Sequence, residues 1–186
     1  MDANLVVLAG GISSRMKKPG SGRLDARLAA EADAKSKGMI GVGEGGRPFL
    51  DYVLYNAREA GFRDVVIVVG ENDRSIREYY GAADSGNPFH GMTIGYAIQP
   101  IPAGRTKPLG TADAMVWALR SRPDWRGMWF TVCNSDNLYS VRAMRMLRES
   151  RADCAFIDYD RAALEFEAER IAAFSILSTD PQHRLL

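Results

Sequence analysis

The stretch from Leu8 to Met16 concentrates residue types that suit the capture of a phosphate group. Gly10 and Gly11 follow an apolar run, and two consecutive glycines let backbone N–H groups approach an anion closely. Arg15 adds a permanently charged, planar guanidinium that matches phosphate oxygens. We therefore predict a phosphate-binding loop, with a tight turn and a solvated arginine as the alternative.

Lys37 and Asp136 are the other two positions with chemistry suited to phosphates. Lys37 supplies a compact positive charge, although the same residue is compatible with an ordinary surface loop. Asp136 follows the apolar run 129–133, at a strand end of the kind where open α/β sheets bind ligands. A carboxylate there suits Mg²⁺, which prefers one or two carboxylates together with phosphate oxygens and water. The alternative for Asp136 is an Asx turn that closes a strand.

The order of the elements predicts how these residues are held. Apolar strand-like runs alternate with helical patterns, which is typical of a parallel α/β sheet. We predict a three-layer α/β/α fold with a mostly parallel central sheet. The expected strands are 5–8, 64–70, 92–98, 127–137, 152–157 and 171–177, and the expected helices include one from Pro48 to Gly61, 73–80, one after Gly110 and 141–149.

Composition limits the classes of function. The 186 residues are 46% hydrophobic and 25% charged with a formal net charge of +1, which is ordinary for one globular domain over residues 1–186. This charge gives no broad field for nucleic acid or an anionic membrane, so we expect neither as a partner. No signal peptide or membrane span is recognisable, and we expect a cytoplasmic protein. Cys133 and Cys154 lie in apolar runs and are predicted to be buried free thiols.

Two segments need separate interpretation. Residues 17–36 form a predicted insertion, a loop followed by an alanine-rich helix, which is either a lid or a surface loop. Gly41, Gly43 and Gly46 match the G-x-G-x-x-G dinucleotide pattern, but the preceding apolar run is too short for a first βαβ strand. We interpret these glycines as a turn that leads into the helix at Pro48.

Residues 8–16, LAGGISSRM, resemble the N-terminal signature of the sugar-phosphate nucleotidyltransferases, L-A-G-G-x-[GS]-[ST]-R-[ML]. The segment that begins at Lys37 is similar to a second signature of that family, with Gly38 and Gly41 in place of the usual prolines. Residues 109–112, LGTA, and the SDN turn at 135–137 match two further motifs.

This resemblance implies a nucleotide-diphospho-sugar transferase fold, which is glycosyltransferase-A-like and Rossmann-like. It also implies a Mg²⁺-dependent nucleotidyltransferase that joins a nucleoside triphosphate to a sugar 1-phosphate and releases pyrophosphate. Arg15, Lys37 and Asp136 are the implied catalytic residues, and Asp136 is the implied metal ligand. The implied nucleotide-binding residues are Leu8, Ala9, Gly10, Gly11, Gln99, Gly110 and Thr111.

Several alternatives stay open at the level of sequence. Related transferases act on molybdopterin or methylerythritol phosphate, and a non-catalytic nucleotide-binding module or a fragment would carry the same motifs. The family's E-K-P segment and second metal-binding aspartate have no counterpart that we recognise, so the resemblance covers a nucleotide-binding part without the sugar-binding part. Asp158 or Asp160 is a candidate second ligand. A homo-oligomer is compatible with the sequence.

Overall fold

The computed structural model describes residues 2–11, 36–174, 177–182 and 184–185. Arg15 and residues 17–35 of the predicted insertion lie outside the described residues. The chain divides into two compact units, Met1–Ser150 and Arg151–Leu186. The single domain over residues 1–186 stays a prediction.

The first unit is built on a five-stranded sheet with the order β5-β6-β4-β1-β7. Its strands β1, β4, β6 and β7 run parallel, and only the short edge strand β5 is antiparallel. A separate antiparallel pair, β2 and β3, precedes the first helix. The strands are β1 Asn4–Leu8, β2 Gly41–Val42, β3 Arg47–Pro48, β4 Asp64–Gly70, β5 Asn87–Phe89, β6 Met92–Gln99 and β7 Phe130–Asn134. The prediction of a mostly parallel sheet is confirmed.

Helices cover both faces of this sheet. They are α1 Phe49–Glu59, α2 Ser75–Tyr80, α3 Thr111–Ser121 and α4 Val141–Glu149, whereas α5 Ala168–Ala172 belongs to the second unit. Buried side chains of α1, α2 and α4 pack with Leu5 and Val7 of β1, whereas α3 packs with Val6. Successive strand residues point to opposite faces, so the apolar run in β1 supplies both cores. The first unit therefore has the predicted three layers.

The large apolar side chains of α3 do not form its buried face. Val116 is 45% exposed and Leu119 is 38% exposed. Ala114 and Ala118 are buried instead. Small side chains let a helix approach a sheet closely, and a search for large apolar residues at helical spacing misses such a face.

The second unit contradicts two predicted strands. The structure has no strand at 152–157, and helix α5 covers residues 168–172, which include the first two residues of the expected strand 171–177. None of the described residues of this unit is buried. A strand needs a neighbouring strand to satisfy its backbone groups, and these apolar runs are not part of either sheet. Cys154 is exposed, so its predicted burial is wrong, whereas Cys133 is buried as predicted.

None of the helices in the described part of the chain combines the length and the apolar character needed to cross a membrane.

Candidate active site

The site lies at the carboxyl end of β1, where the strand order of the parallel sheet reverses its direction. β1 pairs with β4 on one side and with β7 on the other, and its last residue, Leu8, is opposite both Val68 and Asn134. Two further hydrogen bonds extend this pairing by one residue, from Ala9 N to Val68 O at 2.8 Å and from Ser135 N to Leu8 O at 3.1 Å. Open α/β sheets bind ligands at the carboxyl ends of their strands at such a position.

A cavity of about 530 Å³ opens at this edge of the sheet. It is lined by every predicted site residue that the structure describes, namely Leu8, Ala9, Gly10, Gly11, Lys37, Gln99, Gly110, Thr111 and Asp136. Arg15 is the predicted site residue that lies outside the described residues. The cavity also includes Asn134 and Asn137 beside Asp136, together with Pro108, Ala114 and Ser135, which were not assigned to the site from the sequence.

Gly10 allows the floor of the cavity to be closely packed. A Cβ atom at this position would lie 3.1 Å from Oε1 of Gln99 and 3.7 Å from the backbone nitrogen of Gly70. Only a residue without a side chain fits there without displacing Gln99. The glycine of the signature therefore brings the end of β1 against the ends of β4 and β6.

Lys37 and Asp136 both line the cavity, and their side chains contact each other. Lys37 Nζ lies 3.3 Å from Asp136 Oδ2, and both side chains are partly exposed. Lys37 begins a 3₁₀ turn, Lys37–Met39, whose Gly38 is buried. A Cβ atom on Gly38 would lie 3.3 Å from the carbonyl oxygen of Ser135. The glycine that replaces the family's proline therefore lets the lysine turn pack directly on the aspartate turn.

Tyr139 stabilises the turn that carries Asp136. Its hydroxyl accepts hydrogen bonds from the backbone nitrogen of Asn134 at 3.2 Å and from Nδ2 of Asn137 at 3.3 Å. Its carbonyl oxygen accepts a hydrogen bond of 2.8 Å from Nδ2 of Asn56 in α1. Asp136 is thus held by residues on both sides of the turn and by the adjacent helix.

Gln99 is almost fully buried, with 4% of its surface exposed. Its Nε2 donates to the carbonyl oxygen of Gly110 at 3.0 Å and to Oδ2 of Asp113 at 2.8 Å. Among the described residues, its Oε1 has no hydrogen-bond donor. Both N–H groups of the carboxamide are therefore already used within the protein. The Oε1 atom of Gln99, which lies next to Gly10, remains available as an acceptor.

Helix α3 begins at the cavity with Gly110 as its N-cap, so Thr111 is the first helical residue and not the cap. The first N–H groups of a helix have no partner within it and favour an anion. Among the described lining residues, Lys37 is the cation and Asp136 is the carboxylate. These two charges nearly cancel, so the described part of the cavity alone does not neutralise a triphosphate.

The donor set fits a metal ion that is shared with a nucleotide. The described residues contain no cluster of three or more histidine, cysteine or acidic side chains that could hold a metal by itself. Asp136 is 41% exposed, and Mg²⁺ is commonly bound by one or two carboxylates with substrate phosphates and water. Of the other candidates, Asp160 accepts a hydrogen bond from Ala162 N and caps a short 3₁₀ helix in the second unit.

Arg105 and Lys107 lie in the loop before α3. Both are exposed, and neither lines the cavity. The structure therefore gives these loop cations no role in the site.

The chain matches the model of a known domain family and is similar in sequence to known nucleotidyltransferases. A model of the MobA-like NTP transferase domain matches residues 5–165. The chain is 27% identical over 125 residues to a D-glycero-alpha-D-manno-heptose 1-phosphate guanylyltransferase of Aneurinibacillus thermoaerophilus, covering 67% of this chain and 47% of the relative. It is 24% identical to a glucose-1-phosphate adenylyltransferase of Pectobacterium carotovorum, covering 97% of this chain and 40% of the relative. The chain spans less than half the length of these two relatives.

Solved structures share the fold. A UTP-bound UGPase from Acinetobacter baumannii has a TM-score of 0.56 and 18% identity, covering 80% of this chain and 52% of that one. A UDP-glucose pyrophosphorylase complexed with UDP-glucose has a TM-score of 0.54 and 16% identity, covering 78% of this chain and 51% of that one. These likenesses confirm the predicted nucleotide-diphospho-sugar transferase fold.

Proposed function

Because the chain belongs to the MobA-like NTP transferase domain family, we propose that it transfers a nucleotidyl group from a nucleoside triphosphate to a sugar 1-phosphate and releases pyrophosphate. One observation carries this proposal: described residues from each of the family motifs line a cavity at the switch point of the sheet, with Lys37 and Asp136 in contact. The names of the two relatives, both nucleotidyltransferases of sugar 1-phosphates, support the choice of acceptor.

The proposed reaction needs positioning and charge neutralisation more than acid–base chemistry. An oxygen of the acceptor phosphate attacks the α-phosphorus in line, a new P–O bond forms, and the bond to pyrophosphate breaks. A phosphate oxygen is already a competent nucleophile, so no general base is required. Such reactions depend mainly on alignment and on stabilising charge on the transferred group.

The described residues supply three functions for this reaction. Lys37 places its ammonium group beside the reacting phosphates, and Gly10 and Gly11 let the backbone approach the nucleotide. Gln99 accepts a hydrogen bond from an N–H group of the base through Oε1. Arg15 is proposed to bind the pyrophosphate portion.

Asp136 is the residue that would hold Mg²⁺. When bound, this ion neutralises phosphate charge and orients the phosphate oxygens. Lys37 Nζ lies 3.3 Å from Oδ2 of this carboxylate, so the lysine and the ion would share it.

A phosphonate is the second candidate acceptor. The chain is 33% identical over 98 residues to a CMP-5'-(3-aminopropyl)phosphonate synthase of Streptomyces rubellomurinus, and the match covers 53% of this chain and 13% of that relative. A phosphonate offers the same kind of nucleophilic oxygen as a phosphate. A panel of acceptors must therefore include phosphonates as well as sugar 1-phosphates.

The test is a two-substrate assay on the whole chain. Pyrophosphate release is measured with Mg²⁺, each common nucleoside triphosphate in turn, and separate pools of sugar 1-phosphates and phosphonates. Release that requires both a triphosphate and a sugar 1-phosphate supports the proposal. Release only with phosphonates favours the second candidate. Thermal stabilisation by a triphosphate without release would contradict catalysis and indicate a nucleotide-binding module.

A further inference from the structure

Asp113 does not line the cavity, and it directly follows the LGTA segment at residues 109–112. It is in the first turn of α3, where an acidic side chain generally interacts favourably with the helix dipole. Its Oδ2 also accepts the 2.8 Å hydrogen bond from Nε2 of Gln99. This second contact links the helix to a nearly buried residue of the cavity wall.

A carboxamide has two chemically different ends of nearly equal shape, and its neighbours determine which end faces a ligand. Two acceptors, Asp113 Oδ2 and the Gly110 carbonyl oxygen, surround Nε2 of Gln99. A carboxylate cannot donate a hydrogen bond when ionised, so a rotated amide would bring Oε1 against two acceptors. This arrangement fixes Oε1 on the side of Gly10, which lines the cavity.

We propose that Asp113 is a positioning residue that holds the Gln99 carboxamide with its oxygen toward the nucleobase, so that the site selects bases through an N–H group. This inference rests on the proposed nucleotidyltransferase function. Asp113 acts through Gln99 and does not itself contact the nucleotide. The consequence is that loss of Asp113 weakens nucleotide recognition while leaving the transfer step intact.

Two substitutions separate this role from a structural one. Asp113→Ala removes the acceptor for Nε2, whereas Asp113→Asn removes the negative charge but keeps an acceptor oxygen within reach. If the charge at the helix start is what matters, the two variants behave alike. If the hydrogen bond to Gln99 matters, Asp113→Asn retains wild-type behaviour. Glu78→Ala, which removes an acidic residue from the first turn of α2, is the matched control.

The experiment measures KM and kcat with the triphosphate that supports pyrophosphate release, and the Kd of the same triphosphate. A net hydrogen bond of about 1 kcal/mol corresponds to about a fivefold change in an equilibrium constant. We expect Asp113→Ala to raise KM and Kd at least about fivefold with kcat within about twofold of wild type. We expect Asp113→Asn and Glu78→Ala to match wild type, and Asp113→Ala to add nothing in a Gln99→Met background.

The outcomes distinguish this inference from the function on which it rests. Wild-type KM and Kd in Asp113→Ala would overturn the positioning role while leaving the transferase proposal untouched. Equal losses in Asp113→Ala and Asp113→Asn would also overturn it, in favour of a helix-charge effect. A wild-type chain that neither binds a triphosphate nor releases pyrophosphate would overturn both proposals.

Discussion

At the scale of single residues, the site depends on one contact between opposite charges. Lys37 and Asp136 are 99 positions apart in the chain, yet their side-chain atoms lie 3.3 Å from each other. Each residue partly neutralises the other in the absence of a nucleotide. Binding of a phosphate or a metal ion replaces part of this contact, so the two side chains are expected to act together.

Asp136→Asn tests the proposed metal ligand. The amide keeps the shape of the side chain but lacks the charge that Mg²⁺ prefers, and a bound metal ion is worth several kcal/mol of charge stabilisation. We expect Mg²⁺-dependent pyrophosphate release to fall at least about a hundredfold, which corresponds to roughly 3 kcal/mol in the barrier. The measurement is the initial rate as a function of Mg²⁺ concentration, together with a thermal unfolding curve.

Asp84→Asn is the matched control, because Asp84 also pairs with a cation, Arg77, but outside the cavity. This variant is expected to keep the wild-type rate. An Asp136→Asn enzyme with an unchanged Mg²⁺ dependence would refute the metal assignment.

Gly38→Ala tests the close packing of the two turns. The added Cβ would lie 3.3 Å from the Ser135 carbonyl oxygen and 3.4 Å from Cβ of Leu50, so the lysine turn must shift by a few tenths of an ångström. Because misplacement by about 1 Å can reduce catalysis about a hundredfold, we expect kcat/KM to fall roughly three- to tenfold. Gly45→Ala, where no heavy atom lies within 4 Å of the added Cβ, is expected to be silent. Equal kinetics in both variants would argue against this packing role.

At the scale of the elements, α1 and α2 are joined by a buried carboxylate. Asp51 of α1 is 2% exposed and accepts hydrogen bonds from the hydroxyls of Tyr79 at 3.0 Å and Tyr80 at 2.6 Å. Burial, and then the hydrogen bond to Asp51, raises the pKa of Tyr80, so its hydroxyl stays protonated and continues to donate. The contact stabilises the layer beneath the site without reaching the cavity.

Asp51→Ala is therefore predicted to affect stability and not catalysis. It leaves the buried hydroxyl of Tyr80 without its acceptor, which costs about 2–3 kcal/mol. Urea unfolding measures the free-energy loss, and the assay is expected to give an unchanged KM for the folded enzyme. Glu59→Ala removes an exposed carboxylate of the same helix and is expected to change stability by less than about 0.5 kcal/mol. A stability loss of less than about 0.5 kcal/mol in Asp51→Ala, as expected for the control, would show that the buried contact is not stabilising.

At the scale of the whole molecule, the two units differ in the burial of their cysteine side chains. Cys133 lies in the core of the first unit, and burial raises the pKa of its thiol from 9.0 to about 12. Cys154 lies in the second unit and is exposed. The two thiols therefore report on different parts of the chain.

Thiol labelling at pH 8 is expected to modify one cysteine, Cys154, in the native protein and both after denaturation. Above pH 9 the unfolded chain ionises Cys133 while the folded protein keeps it neutral, so this group reduces stability as the pH rises from 9 toward 12. Cys154→Ser is the control and is expected to abolish native labelling. Rapid labelling of Cys133 in native Cys154→Ser would contradict its burial.

The sequence allowed much of the first unit to be predicted, because its long strands and helices have strong local patterns. The predicted strand at 64–70, with its apolar centre, and the periodicity of α4 have boundaries that match the structure. Strands β2, β3 and β5 were missed, because two or three residues carry no recognisable period. The runs at 152–157 and 171–177 resembled strands locally, but pairing depends on tertiary neighbours.

The candidate site was predicted mainly from motifs, and its supporting residues were not. Glycine, lysine and aspartate positions were found because their chemistry and spacing are distinctive. The roles of Asp113 and Tyr139 come from contacts to Gln99 and to the aspartate turn, and no spacing rule in the sequence links these pairs. Gly38 looked like a departure from the family signature, and its reason is visible only in the packing against Ser135.

The most direct test of the central claim is the mass of the product formed by the wild-type chain. The protein is incubated with Mg²⁺, each nucleoside triphosphate and a pool of sugar 1-phosphates, and the products are analysed by mass spectrometry. We expect a species whose mass equals the triphosphate plus the sugar 1-phosphate minus pyrophosphate, and we expect it to be absent with Asp136→Asn. Nucleoside monophosphate as the only product would mean hydrolysis, and it would contradict nucleotidyl transfer to a sugar phosphate.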